Sequence, residues 1–148
     1  IGVNHEGDLD VAKELIRAAA RGGAHAAKFQ SYKADLLAAK HTAPAYWDTS
    51  KESTTSQHEL FSKWDNFGPA EYEELARTCA EVGIDFMTTP FDFEAVEQLS
   101  HLMPAIKVAS ADITNVPLIR LVVEQASSAH SGRSSAIEIA SSPRRIEM

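Results

Sequence analysis

Four segments of the chain read as buried strands that run into polar or charged residues: Gly2-Val3-Asn4-His5, Ala27-Lys28-Phe29-Gln30, Phe86-Met87-Thr88-Thr89-Pro90-Phe91 and Ile106-Lys107-Val108-Ala109-Ser110. Helix-period stretches lie between them, two of them closed by glycine at Gly22-Gly23 and Gly83, and strands alternating with helices imply parallel pairing with right-handed crossovers. Polar groups gathered at the carboxyl ends of successive parallel strands are how a (β/α) barrel builds a site. The expected fold is therefore α/β, a partial (β/α)8 TIM barrel of about the first four βα units. A closed barrel takes about 250 residues, and this chain has 148.

The helices are read from their punctuation. Asp8 suits the N-cap of a helix through about Arg21, with Leu9, Ala12, Leu15, Ile16 and Ala19 on one face and Gly22-Gly23 as its stop. A second helix runs from Pro69 to about Val82 before Gly83, a third opens at Asp92 and ends near Leu102, and a fourth carries Pro117 in its first turn and reaches about Gln125. The stretch from Lys33 to Phe67 interrupts this rhythm. A connection that long inside a compact domain is a functional loop or a disordered one, and a loop leaving a strand's carboxyl end would lie over the site. Its aromatic residues Tyr46, Trp47 and Trp64 could stack on a ligand or simply pack the loop down.

The division expected is 1–125 as the barrel part and 126–148 as a divergent, disordered tail rich in serine, although Ala136 to Ala140 is apolar enough for a short strand. The formal net charge of −7 and the absence of a basic run argue against nucleic acid, whose phosphates are bound by clustered Lys and Arg. No apolar stretch approaches the roughly 18 residues of a membrane span, and no charged-then-apolar leader precedes Ile1, so no membrane partner is expected. The single cysteine, Cys79, sits in a helical pattern as a small hydrophobe, which fits a reducing, cytoplasmic setting.

Lys28 and Lys107 are the strongest chemical signal. A lysine in the middle of a parallel strand must reach an opening or accept severe desolvation. Two of them on one sheet suggest a shared anion, each contributing on the order of 4 kcal/mol of attraction at about 4 Å and an effective dielectric of about 20, before desolvation. Either lysine could instead snorkel to solvent or pair with an acid such as Asp112 or Asp85. The hydroxyls of Thr88, Thr89 and Ser110 could bind anion oxygens or serve as turn residues. His5 beside a turn reads first as structural. The six histidines show no metal-ligand spacing, and Asp92 with Glu94 is more simply a helix start.

Together, Ile1-Gly2-Val3-Asn4-His5-Glu6-Gly7-Asp8, Ala27-Lys28-Phe29-Gln30, Thr88-Thr89-Pro90-Phe91-Asp92 and Lys107-Val108-Ala109-Ser110-Ala111-Asp112-Ile113-Thr114-Asn115-Val116-Pro117-Leu118 resemble the N-terminal barrel half of the N-acetylneuraminate (sialic acid) synthase family. The resemblance covers about residues 1 to 125. It implies a transferase that joins phosphoenolpyruvate to an N-acylated amino sugar such as N-acetylmannosamine, releasing phosphate and forming a sialic-acid-type nonulosonic acid. It also implies a divalent metal, Mn²⁺ or Mg²⁺, polarising the sugar aldehyde, and a homodimer in the full-length family.

Carried onto this sequence, the resemblance implies that Lys28 and Lys107 bind phosphoenolpyruvate, with Thr89 and Ser110 as hydroxyl ligands and Gln30 and Phe91 lining the pocket. Asp112 stands where many members carry Glu near the sugar and takes the catalytic place. Asn4 and His5 shape the site. Family members carry their metal-binding histidines on later strands and a sugar-contacting Glu before the first strand, neither of which this sequence contains. Two further readings follow: a non-catalytic fragment that keeps part of the phosphoenolpyruvate site, and a Schiff-base aldolase using Lys28 or Lys107 as an amine nucleophile.

Overall fold

The computed structural model describes residues 1–40, 45 and 47–128, together with the backbone of 129 and 136–139. Its elements run α1 (Leu9–Arg21), β1 (Ala26–Ser31), α2 (Ala34–Leu37), α3 (Gln57–Trp64), α4 (Pro69–Glu81), β2 (Asp85–Pro90), α5 (Phe93–Leu99), β3 (Ala105–Val108), α6 (Val116–Ala129) and β4 (Ala136–Ile139). Short 3-10 turns at Ser100–Leu102 and Ser110–Asp112 follow α5 and β3. Among the described residues, β1 pairs parallel with β2 and β3 pairs parallel with β4. The fold is α/β with parallel strands.

The helix boundaries follow from their caps. Asp8 accepts hydrogen bonds from the Asp10 and Val11 amides, which would otherwise be left unpaired at the start of α1. Asp92 does the same for Ala95 at the start of α5. Pro69 opens α4, where a missing amide hydrogen costs nothing, and Glu71 reaches back to the Gly68 amide at 2.8 Å. Four of the helices then lay apolar residues on the strands: Ala12 and Ile16 of α1, Leu75 and Cys79 of α4, Val96 and Leu99 of α5, and Leu118 and Val122 of α6 are all buried. The strands contribute Ala27, Phe29, Phe86, Ile106 and Val108 to the same core.

Two sequence expectations need correction. The Gly2-Val3-Asn4-His5 strand is a single parallel bridge from Gly2 to Phe29, followed by turns in which Asn4, Glu6 and Asp8 amides return to Ile1, Val3 and His5 carbonyls. Positive φ angles at Gly2, Glu6 and Gly7 bend the backbone out of extended geometry there. The Lys33 to Phe67 stretch holds two short helices, α2 and α3. They are tied by His58 Nε2 to Asp35 Oδ1 at 2.7 Å, and Lys33 Nζ meets Asp65 Oδ1 at 2.8 Å. The helix expected to end at about Gln125 continues as α6 to Ala129, and the short strand allowed for at Ala136 to Ala140 is present as β4, beside β3.

An aromatic chain fastens the turns and the long segment to the sheet. His5 stacks on Phe67 with centroids 4.4 Å apart, Phe67 meets Tyr72 edge-on, and Tyr72 leans on Phe86. Tyr32, the residue after β1, packs edge-on against Phe61 of α3 and Phe91 after β2. Burial, aided by the Asp65 charge, pushes the Tyr32 phenol up to about 12.

Two outcomes test this packing. Gly7 has φ +75°, and a Cβ there would fall 2.2 Å from Asn66 Nδ2, whereas Gly23 at φ +81° has nothing within 4 Å. Gly23→Ala should therefore cost only the left-handed backbone penalty of about 1–2 kcal/mol. Gly7→Ala should cost measurably more in urea denaturation, and Asn66→Ala should return most of the excess; equal costs at the two glycines would contradict the contact. The second outcome concerns alkali. The unfolded Tyr32 phenol loses its proton near pH 10 and the folded one near pH 12, so unfolding releases a proton between those values and stability falls as pH rises. Denaturation midpoints should decline across that window, and Tyr32→Phe should flatten part of the decline.

Candidate functional site

β1 alternates strictly, with Ala27, Phe29 and Ser31 buried and Ala26, Lys28 and Gln30 partly exposed. Its register sets Lys28 opposite Met87, Gln30 opposite Thr89 and Phe29 opposite Thr88. Because successive residues of a strand point to opposite faces, Lys28, Gln30, Met87 and Thr89 share the face turned away from the helical core. β3 repeats the pattern: Ile106 and Val108 enter the core while Lys107 is partly exposed on the other side. The two lysines thus stand on the same side of the strand layer.

Lys28 Nζ lies 3.5 Å from Thr89 Oγ1. Gly2 approaches this face so closely that a Cβ on it would sit 3.1 Å from Gln30 Oε1, and its φ of +61° favours glycine for a second reason. Ser110 and Asp112 belong to the 3-10 turn that leaves β3, with Ser110 exposed. Asp112 keeps Oδ2 buried with no hydrogen-bond partner. Burial raises its carboxyl above the usual range, and a hydrogen bond with Asn115 pulls the other way. A carboxyl held toward its neutral form can donate a proton as well as accept one.

Not every expected residue joins this face. Thr88 points into the core, where its hydroxyl meets Ser31 Oγ at 3.0 Å, so it is not an anion ligand. Phe91 packs edge-on against Tyr32 at 6.4 Å. Asn4 is exposed in the first turn. His5 is buried, accepts from the Gly7 amide through Nδ1 at 3.1 Å and is held below its ordinary range chiefly by burial. It acts as a packing residue under the turns. In the long segment, Trp47 donates to the Thr54 carbonyl and Lys63 lies over the Trp64 ring. Tyr46 lies outside the described residues.

Among the described residues no three His, Cys, Asp or Glu side chains converge as a metal site, so these residues do not fit the divalent ion that the resemblance implies. No step is assigned to it. Cys79 is buried in the core, with its thiol pushed up to about 12 by burial and then by Asp85, which makes it inert.

Sequence reasoning missed an arrangement on the opposite face. Tyr72, in α4, donates its hydroxyl to the Gln30 carbonyl at 2.9 Å, gripping the end of β1 from the core side. Met103 takes the Thr88 amide on its sulfur at 3.0 Å. The Asp85 and Phe91 amides go to the His25 and Ser31 carbonyls, so alternate residues of β2 pair with β1 and the Thr88 amide faces β3. Met103 therefore wedges into the seam between the two strand pairs. Nothing in local sequence spacing marks either contact.

Comparison with known proteins gives this arrangement its relatives. A profile of the NeuB family matches residues 15–142. The chain is 37% identical over 121 residues to an N,N'-diacetyllegionaminic acid synthase of Legionella pneumophila, covering 80% of this chain and 34% of that one. It is 39% identical over 120 residues to the N-acetylneuraminate-9-phosphate synthase of Homo sapiens, covering 80% and 33%. Among solved structures, an N-acetylneuraminic acid (sialic acid) synthetase from Leptospira borgpetersenii superposes with a TM-score of 0.69 at 25% identity, covering 93% of this chain and 41% of that one. The spore coat polysaccharide biosynthesis protein SpsE of Bacillus subtilis gives 0.60 at 31% identity, with 84% and 32% covered. The chain spans about a third of the length of the curated relatives it matches. With two lysines and a threonine on one strand face, an α/β fold like that of sialic acid synthase structures and a profile match over most of its length, the chain belongs to the NeuB family.

Proposed function

We propose that this chain is the phosphoenolpyruvate-holding part of a nonulosonic acid synthase, an enzyme that condenses phosphoenolpyruvate with an N-acylated amino sugar, such as N-acetylmannosamine, and releases phosphate. The observation that carries the reading is the shared face of Lys28, Gln30, Thr89 and Lys107, with Lys28 Nζ 3.5 Å from Thr89 Oγ1. A small dianion needs concentrated positive charge and a few oriented donors in a half-open setting, and lysines can supply the charge as point cations. The relatives' names, among them legionaminic, pseudaminic and N-acetylneuraminate-9-phosphate synthases, support a condensation of this class.

In this reading the whole enzyme is a (β/α)8 barrel, and the strands described here form part of its wall. Lys28 and Lys107 neutralise the phosphate and carboxylate of phosphoenolpyruvate, Thr89 and Ser110 orient their oxygens, and Gln30 borders the pocket, while Phe91, packed against Tyr32, supports the strand end beside it. Asp112, whose half-buried carboxyl is raised toward the neutral form, faces the sugar and exchanges a proton with a hydroxyl or carbonyl oxygen. A divalent ion at the sugar aldehyde would have its ligands outside these residues. The homodimeric state and a cytoplasmic setting belong to the same reading; among the described residues no helix is long and apolar enough to cross a membrane. This stretch alone then binds phosphoenolpyruvate without completing the condensation.

Titration calorimetry with phosphoenolpyruvate tests it. Binding should weaken about tenfold or more in Lys28→Met and in Lys107→Met, a loss of about 1.4 kcal/mol each, and by a smaller factor in Thr89→Val. Asp112→Asn should leave phosphoenolpyruvate affinity nearly unchanged. Binding that ignores both lysine substitutions would overturn the assignment. Borohydride trapping of a pyruvate adduct on either lysine would replace it with imine chemistry.

A further inference from the structure

A cavity of about 40 Å³ lies on the core side of the layer, at the carboxyl ends of β1 and β2, with Ser31, Tyr32, Tyr72, Asp92 and Leu99 among its lining residues. It contains none of the residues assigned above to phosphoenolpyruvate, so what it binds is a separate question. Tyr32 is 9% exposed and Asp92 is 7% exposed. Each holds one buried oxygen with no hydrogen-bond partner, Tyr32 Oη and Asp92 Oδ2. The other Asp92 oxygen is occupied, accepting from the Ala95 amide at 2.7 Å. Tyr32, Asp92 and Tyr72 all line this one cavity.

The two unpartnered oxygens have opposite needs. A protonated phenol has a hydrogen to give, and a carboxylate oxygen has lone pairs to fill. Buried polar groups in folded proteins are almost always satisfied by protein or by ordered water. A molecule serving both must accept on one side and donate on the other, which a metal cation cannot do because it would leave the phenolic hydrogen without an acceptor. Water does both. A water needs roughly 10–15 Å³ of such space and two to four polar partners, and the cavity exceeds the first requirement. The Ser31 hydroxyl, already paired with Thr88 at 3.0 Å, retains acceptor capacity as a third partner.

We propose that this cavity is a binding site for a structural water that accepts from Tyr32 O–H and donates to Asp92 Oδ2. The water joins the first residue after β1 to the cap of α5, and so fixes the spacing of the two strand ends from the side opposite the lysines. Tyr32 and Asp92 act here as positioning residues.

A crystal structure at a resolution that orders solvent tests the site directly. A density peak within hydrogen-bond distance of both oxygens is expected in the native chain, and its loss is expected in Tyr32→Phe with the start of α5 unmoved. A direct Tyr32–Asp92 hydrogen bond, an empty cavity, or a peak that gains anomalous signal in rubidium would each overturn the proposal. Denaturation of Tyr32→Phe, Asp92→Ser and the double variant gives a second readout, since serine retains an oxygen for the helix cap. If one water serves both groups, the double variant should change the unfolding constant no more than about twofold beyond the worse single variant. Fully multiplicative losses would mean that the two oxygens are satisfied independently and would also overturn it.

Discussion

Everything distinctive about this chain depends on the two-residue period of β1. Ala27 and Phe29 must face the helices because they complete the apolar core, and that requirement forces Lys28 and Gln30 to the other side. The hydrophobic effect thus places the charged groups without any attraction between them and a ligand. β3 obeys the same constraint through Ile106 and Val108, which leaves Lys107 on the side that Lys28 occupies. The core and the candidate anion face are two consequences of one alternation.

That dependence explains what could be read from sequence. A lysine between apolar neighbours in a short run announces both the strand and its own unusual position, so Lys28 and Lys107 were legible, as were the caps Asp8 and Asp92 beside their helices. Thr88 and Thr89 were not separable. Adjacent hydroxyls look alike until register assigns one to Gln30 and the other to Phe29. The first segment misled for a related reason, because apolar and polar residues alternate there while Gly2 and Gly7 take positive φ and turn the chain. The helix α3 did carry a signal, since Ser56 followed by Glu59 forms a cap in which Ser56 accepts from the Glu59 amide and Glu59 reaches the Thr55 amide.

The features that escaped sequence reading are those made by distant parts of the chain. Tyr72 reaches Gln30 across 42 positions, and Tyr32 meets Phe61 and Phe91 from separate elements. Local periodicity contains no record of such meetings. They nevertheless decide how the strand ends are held, because the aromatic groups on the core side support the backbone whose opposite face carries the lysines. Site and scaffold are the two surfaces of a layer one strand thick.

The Met103 wedge has an evolutionary consequence. Within β1 and β2 every residue is counted against a partner, so adding or deleting one position would exchange core and open faces along the rest of the strand. At the seam, a flexible thioether meets the Thr88 amide in place of a fixed backbone carbonyl. A sulfur at the end of a side chain with three rotatable bonds does not count residues. The segment approaching β3 is therefore freer to change length over generations than either strand it adjoins, and descendants of this chain should differ there by insertion and within β1 only by substitution.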